Sequence, residues 1–104
     1  MTSFDSLWEI LVPTKYEDNL QPVSTRHHKQ WDKVIRNIAG GLTIMKPAKG
    51  QWIFENELYL DRVIPVRIAC NRNDIIKILK FTLNHYRQKK IMCYKISNEV
   101  IFYG

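Results

Sequence analysis

The segment from residue 24 to residue 45 reads STRHHKQWDKVIRNIAGGLTIM, and it decides the fold because its apolar period changes from helical to extended. Ser24 or Thr25 can cap the first turn of a helix. Gly40-Gly41 ends that helix, since glycine readily adopts the left-handed conformation common at helix C-termini. The apolar residues between them recur at i, i+3, i+4 and i+7, the stripe of an amphipathic helix: Trp31, Val34, Ile35 and Ile38.

Extended segments flank this helix on both sides. Upstream, Leu7–Val12 reads as a strand ended by Pro13. Downstream, Leu42–Met45 reads as a short strand and Leu58–Cys70 as a long one. Between them, residues 48–50 read as a turn and Gln51–Ile53 favours a further short strand.

The remaining segments complete the pattern. Residues 55–57 predict a hairpin turn, and Pro65 predicts a bulge or an unpaired position within the long strand. A second helix begins near Asn71, and Ile91–Ile96 forms the last strand, which Val100–Tyr103 extends or folds back upon. The second helix has its own apolar stripe: Ile75, Ile78, Leu79, Thr82 and Tyr86.

The predicted order is β-α-β-β-α-β, which is the ferredoxin-like plan of the α+β class. Right-handed crossovers place both helices on one face of a four-stranded antiparallel sheet. We expect residues 1–104 to form a single domain, because a chain of this length has room for one core. The other face of the sheet is left open, and what covers that face is the functional question.

Composition limits the classes of function. Apolar residues make up 45% of the chain, which is typical of a folded protein, and no apolar run approaches the roughly 20 residues that span a bilayer. The polar N-terminus and the cysteines Cys70 and Cys93, which we expect to be reduced thiols, favour a cytoplasmic protein with no membrane partner. The net charge of +6 favours anionic partners, although a solvated basic surface explains it equally well.

The sequence indicates neither a metal site nor a cofactor. No Cys-x-x-Cys spacing occurs, and the adjacent residues His27 and His28 cannot point the same way on a helix. Together with Arg26 and Lys29 they begin a helix, where a phosphate can bind, although a solvated helix start is the simpler interpretation.

Strand alternation predicts a charged row on the open face. Glu9 is expected to point away from the helices and to lie between Arg67 and Lys95 across the sheet. This row is either a solvated salt-bridge ladder or the floor of a ligand site or subunit contact. The same alternation turns the apolar positions of three strands toward the helices: Trp8, Ile10, Val12, Ile64, Val66, Ile68, Met92, Tyr94 and Ile96.

Residues 50–62 form the second candidate site. Trp52 and Tyr59 lie beside charged residues in a segment too short to bury all its aromatic rings, which suits a subunit interface, a ligand pocket or part of the core. In a pocket, either ring would stack on a ligand ring, and Arg62 and Arg67 would bind phosphate or carboxylate. Asp61 would bind a hydroxyl or a positive centre.

Three short motifs resemble those of the small phage S-adenosylmethionine-degrading lyases and of a related ferredoxin-like family of unknown function. They are Gly41-Leu42-Thr43, Gly50-Gln51-Trp52, and Asp61 ahead of Val63-Ile64, within a layout that matches from residue 7 to residue 94. The resemblance implies a trimer with a pocket between subunits. It also implies a catalytic role for Asp61, which falls near an essential glutamate of those lyases and is one methylene shorter.

These observations lead to three functional hypotheses. The first is a homo-oligomer, dimer or trimer, that holds an anionic or nucleotide-like small molecule in a pocket between subunits. The second is a lyase of the kind just named. The third is nucleic-acid binding on the sheet, which is less favoured because Arg62–Cys70 carries no aromatic residue on which a base could stack.

Overall fold

The computed structural model describes residues 5–104, which form one antiparallel sheet with two helices. The elements are β1 (Ser6–Pro13), α1 (Thr25–Ala39), β2 (Thr43–Ile44), β3 (Ala48–Phe54), β4 (Glu57–Cys70), α2 (Arg72–His85) and β5 (Cys93–Ser97). The strand order is β2-β4-β1-β5, and β3 pairs with β4 beyond the end of β2. The predicted ferredoxin-like α+β class is confirmed, although the sheet formed by residues 5–104 has five strands rather than four.

Helix α1 begins and ends where its sequence predicts. The Ser24 hydroxyl accepts a hydrogen bond from the amide of His27 at 3.1 Å, so Ser24 is the N-cap. Gly40 has a φ of 88°, and its amide donates to the carbonyl of Arg36 at 2.8 Å. This left-handed conformation is one that glycine adopts without strain.

Helix α2 packs beside α1 through a buried polar contact. The indole N–H of Trp31 donates to the hydroxyl of Thr82 at 2.9 Å, and that hydroxyl donates to the carbonyl of Ile78 at 2.6 Å. Every polar atom in this contact therefore has a partner, as buried groups require. Trp31 is only 1% exposed, which confirms the predicted direction of the helical stripe.

The core lies between the two helices and the sheet. Its buried members come from β1, β4 and both helices: Trp8, Ile10, Val12, Trp31, Ile35, Val66, Ile68, Cys70, Ile75, Ile78 and Tyr86. Both cysteines are free thiols. Burial raises the pKa of Cys70 to about 12 and that of Cys93 to about 11, so neither is a thiolate at neutral pH.

Strand β4 runs through Pro65 without a shift in its register against β1, where Pro65 lies opposite Leu11. The irregularity falls on the other edge of β4. Three residues separate Ile44 from Ala48, whereas two separate their partners Val66 and Val63, so the chain between β2 and β3 carries one extra residue. The bulge predicted in β4 at Pro65 is therefore absent from its pairing with β1, and the extra residue lies in the chain between β2 and β3.

The hairpin of β3 and β4 extends beyond the rest of the sheet. Pairing between β1 and β4 ends at Pro13 and Val63, so residues 57–62 pair only with β3. Glu55 and Asn56 form the predicted turn, with φ values of 51° and 67°. We call residues 48–62 the arm. Its first residues, 48–50, read in the sequence as a turn and instead form part of β3.

Strand β5 differs from its predicted position. It begins at Cys93 rather than Ile91, and residues 100–103 belong to no strand. Its register places Cys93 opposite Ile10 and Lys95 opposite Trp8. No helix within residues 5–104 is long and apolar enough to cross a membrane.

Candidate functional site

A groove of about 730 Å³ lies on the open face, between the arm and the chain that leads from α2 into β5. Its walls are mostly apolar, with a few polar side chains that converge on the same space, which is the usual character of a small-molecule site. The groove is lined by Leu11, Pro13, Trp52, Ile53, Phe54, Asp61, Val63, Gln88 and residues 90–93.

The position of Trp52 in the groove depends on Gly50. A Cβ atom at residue 50 would lie 2.8 Å from Cη2 and 2.9 Å from Cζ2 of the Trp52 ring, so the ring occupies the space that a side chain would fill. This contact is a physical reason for the Gly-x-Trp spacing seen in the sequence. Trp52 remains 44% exposed, so one side of its ring is available for stacking.

Asp61 lies opposite Gly50 in the register and is half-buried in the groove wall. Its Oδ1 accepts a hydrogen bond from the amide of Arg62 at 2.7 Å, which fixes the direction of the carboxylate. The salt bridges within residues 5–104 join Arg67 to Glu9 and Arg87 to Asp18, and neither includes Asp61. The carboxylate can therefore accept a hydrogen bond from a ligand.

The opposite wall contributes Gln88 and Lys90. The amide nitrogen of Gln88 donates to the carbonyls of Tyr86 at 3.0 Å and Lys15 at 3.2 Å, so this residue mainly holds the wall in place. Lys90 is exposed and supplies positive charge to the groove. Sequence reasoning missed Lys90, because a lysine just after a helix is explained by the helix dipole alone.

Arg62 and Tyr59 do not line the groove. Side chains alternate along β4, so Arg62 points to the face opposite Asp61 and cannot share its ligand. Tyr59 lies opposite Trp52 in the register, but its hydroxyl donates to a carboxylate oxygen of Glu57 at 3.3 Å, farther out along the arm. The structure therefore brings Trp52 and Asp61 together in the groove and places Arg62 on the other face of the arm.

The charged row on the open face is only partly present. Glu9 lies opposite Arg67, and Nε of Arg67 donates to Oε1 of Glu9 at 3.0 Å. Lys95 lies instead on the helix side, with its Nζ 4.9 Å from the centre of the Trp8 ring. The prediction for Lys95 is wrong because the register of β5 differs from the expected one by a single residue, and such a shift moves every side chain to the other face. Tyr94 takes the place opposite Glu9.

The same shift reverses the predicted direction of the apolar residues of β5. Met92, Tyr94 and Ile96 were expected to face the helices, but all three are exposed. Cys93 packs against the core in their place.

Within residues 5–104, no group of three or more His, Cys, Asp and Glu side chains is arranged to hold a metal ion. Each half of the groove instead provides one charged group, Asp61 on the arm and Lys90 opposite. The arrangement suits an organic ligand with a ring, a hydrogen-bond donor and an anionic group.

Solved structures with this fold include proteins of two kinds. CutA1 from Oryza sativa superposes with a TM-score of 0.70 at 12% identity, over 99% of this chain and 84% of that one. The periplasmic divalent cation tolerance protein CutA from Archaeoglobus fulgidus gives 0.68 at 11% identity, over 94% and 87%. A phage SAM lyase in complex with S-methyl-5′-thioadenosine gives 0.67 at 11% identity, over 96% and 86%.

At these identities the likeness shows the fold alone. The resemblance to the phage lyases is confirmed at that level, and the CutA proteins share the same architecture. No model of a known protein family and no curated protein sequence matches the chain.

Proposed function

We propose that the protein is a homo-oligomer that binds an anionic, nucleotide-like small molecule in the groove, with a second subunit completing the site. The observation that carries this proposal is the groove itself, in which Trp52, Asp61 and Lys90 converge beside an arm that has no partner within residues 5–104.

The exposed apolar surface of the arm supports the oligomer. Ile53 is 77% exposed, Leu60 is 72% exposed, and Phe54 and Leu58 are also largely in solvent. Within the described part of the chain, residues 5–104, strand β3 pairs with β4 alone, so its outer edge presents unpaired backbone groups. Apolar side chains next to a free strand edge are typical of a surface that another chain covers.

The chemistry of the groove supports the ligand class. The exposed side of the Trp52 ring can stack on a base, which contributes about 1–3 kcal/mol for bases on aromatic side chains. Lys90 can bind a phosphate or carboxylate, and the carboxylate of Asp61 can accept a hydrogen bond from a ribose hydroxyl or an amine. The net charge of +6 raises the local concentration of any anionic ligand.

Isothermal calorimetry against nucleotides, cyclic oligonucleotides and S-adenosylmethionine tests the proposal. We expect at least one ligand to bind below millimolar concentration. Trp52→Ala should weaken that binding by roughly tenfold to a hundredfold, and Lys90→Gln by about tenfold or more, the size of a lost charge-assisted hydrogen bond. Lys77→Gln is the matched control, since this exposed lysine of α2 does not line the groove. Absence of binding across the panel would contradict the proposal.

A second candidate function is S-adenosylmethionine lysis in the same groove. It is favoured by the position of Asp61 beside Trp52 and by the phage lyase of similar fold, whose ligand contains a nucleoside. Asp61→Asn separates the candidates. Both a binding protein and a lyase should keep most of their affinity for the ligand in this variant, but only a lyase should lose turnover. Chromatography that detects S-methyl-5′-thioadenosine measures that turnover.

A further inference from the structure

The three histidines of the chain meet at one end of the helix pair, although they are distant in sequence. The rings of His27, in the first turn of α1, and His85, the last residue of α2, are stacked with centroids 3.7 Å apart and planes 10° apart. Nε2 of His27 lies 2.6 Å from the carbonyl oxygen of His85, and Nε2 of His85 lies 2.8 Å from that of His27. Because a carbonyl can only accept, both Nε2 atoms carry a proton and donate.

This geometry disfavours a positive charge on both stacked rings at the same time. If both Nδ1 atoms were protonated, two positive charges would be stacked in a partly buried space. Burial lowers the pKa of His85, the charge of His27 lowers it further, and the hydrogen bond with the His27 backbone opposes the shift. A positive charge on His85 is therefore less favourable in the closed cluster than on a free histidine.

His28 is tied to the same place by a different bond. Its Nδ1 lies 2.7 Å from the hydroxyl of Tyr86, which is completely buried. Burial raises the pKa of Tyr86 well above its usual range, so the phenol keeps its proton and can donate a hydrogen bond to Nδ1 of a neutral His28. Burial lowers the pKa of His28, and the charges of His27 and His85 lower it too, whereas Asp32 acts in the opposite direction.

Two acidic side chains near the cluster are already paired. In the loop before α1, Asp18 forms a salt bridge with Arg87 at 3.3 Å, and Glu17 accepts a hydrogen bond from the amide of Lys89 at 2.8 Å. Tyr16 meets the edge of the His27 ring, and Arg87 covers the face of Tyr16 at 4.0 Å.

On the helices, Phe81 of α2 stacks against His85 and brings no charge. Asp32 of α1 is the acid that acts on His28, and burial raises the pKa of Asp32 itself. Asp32 therefore favours a proton on His28 and opposes the effect of burial there.

We propose that the histidine cluster is a pH-sensitive latch that releases the groove wall, residues 86–92, when the solution becomes acidic. The wall begins at Tyr86, directly after His85. The amide of Gln88 donates to the carbonyl of Leu83 at 2.9 Å, so the wall depends on the end of α2 that the cluster holds in place. This inference concerns the chain alone and does not depend on a ligand in the groove.

Proton linkage sets the sign of the effect. The open cluster binds protons with the ordinary histidine pKa near 6.5, whereas the closed cluster excludes at least one of them. Stability of the latch is therefore complete above that pH and is lost as the pH falls. For each excluded proton, the opening constant should rise about tenfold per pH unit below about 6.5.

Hydrogen exchange measured by mass spectrometry between pH 7.5 and pH 5.5 tests the proposal. After correction for intrinsic exchange rates, protection of residues 86–92 should fall about tenfold per pH unit below about 6.5, while the paired region of β1 and β4 keeps its protection. His85→Gln should remove much of this pH dependence, because an amide side chain can still donate to the His27 carbonyl but takes up no proton. Asp18→Asn is the control, since it breaks the neighbouring salt bridge, retains the histidines and should leave the slope unchanged.

A measurement on the wild-type protein covers the case in which His85→Gln fails to fold. In a nuclear magnetic resonance titration, the rings of His28 and His85 should take up their protons at a pH below the ordinary histidine pKa near 6.5, because burial lowers the pKa of each. Ordinary pKa values for these two histidines, or equal protection of residues 86–92 at both pH values, would overturn the proposal.

Discussion

At the scale of single residues, the shape of the groove depends on a missing side chain. Gly50→Ala would place a methyl group within 2.8 Å of the Trp52 ring, and the ring can move because it is the outer end of its side chain. We expect the free energy of unfolding to change by less than about 1 kcal/mol, while the ring moves farther into solvent. Acrylamide quenching of tryptophan fluorescence should therefore increase.

Gly41→Ala is the control for this experiment, because nothing lies within 4 Å of a Cβ at that position. Trp52→Phe identifies the contribution of Trp52, since Trp8 and Trp31 are buried. Unchanged quenching in Gly50→Ala would show that the glycine does not position the ring.

The pair of Glu9 and Arg67 gives a second prediction at this scale. Glu9 is only 7% exposed, so Arg67→Ala leaves a buried carboxylate without its partner. The free energy of unfolding should fall by about 1–3 kcal/mol in urea denaturation. Lys33→Ala, at an exposed position of α1, should have little effect. If the two variants lost equal stability, the pair would contribute nothing.

The candidate site was only partly predictable from single residues. Trp52 and Asp61 were found because they belong to one short segment with more aromatic rings beside charges than it can bury. The structure brings them together because residues two apart on a strand, and their partners across a hairpin, share a face. Arg62 was misplaced because closeness in sequence was taken for closeness in space. Lys95 was misplaced because both faces of the edge strand β5 carry apolar residues. Alternation along such a strand does not show which of its faces points to the core, so its register cannot be read from the sequence.

At the scale of helices and strands, the contact between α1 and α2 is the most sensitive point of the core. Trp31→Ala removes a ring that is 1% exposed. It also removes the indole N–H from which the Thr82 hydroxyl accepts a hydrogen bond. We expect a loss of roughly 3–5 kcal/mol in the free energy of unfolding, measured by urea denaturation. Ile76→Ala, on the exposed side of α2, is the control and should cost far less. A melting temperature of Trp31→Ala within a few degrees of wild type would contradict the packing described.

Helices were predicted more accurately than strands, for physical reasons that these elements illustrate. The Ser24 cap, the apolar period and Gly40 fix α1 through contacts local in sequence. Strand β3 pairs over its whole length with β4, and the pairing of residues 48–50 with residues 61–63 overrides the turn that their composition favours. The start of β5 was displaced by two residues because Ile91 packs on the core from outside the strand.

At the scale of the whole molecule, the arm is the feature that a single chain does not explain. It extends a structure whose dimensions are 48 × 29 × 23 Å, and both of its faces carry exposed apolar side chains. A charge in the middle of an apolar interface is costly, so Leu60→Glu should dissociate an oligomer held together by the arm. Sedimentation velocity measures the change, and Ile76→Glu on α2 is the matched control. Equal assembly of both variants would show that the arm is not the interface.

The central claim, that a second subunit covers the arm and completes the groove, is tested most directly by the mass of the wild-type protein in solution. Light scattering at micromolar concentration should give two or three times the 12.4 kDa of one chain. A mass near 12.4 kDa would contradict the account, because the arm and the groove would then be open to solvent.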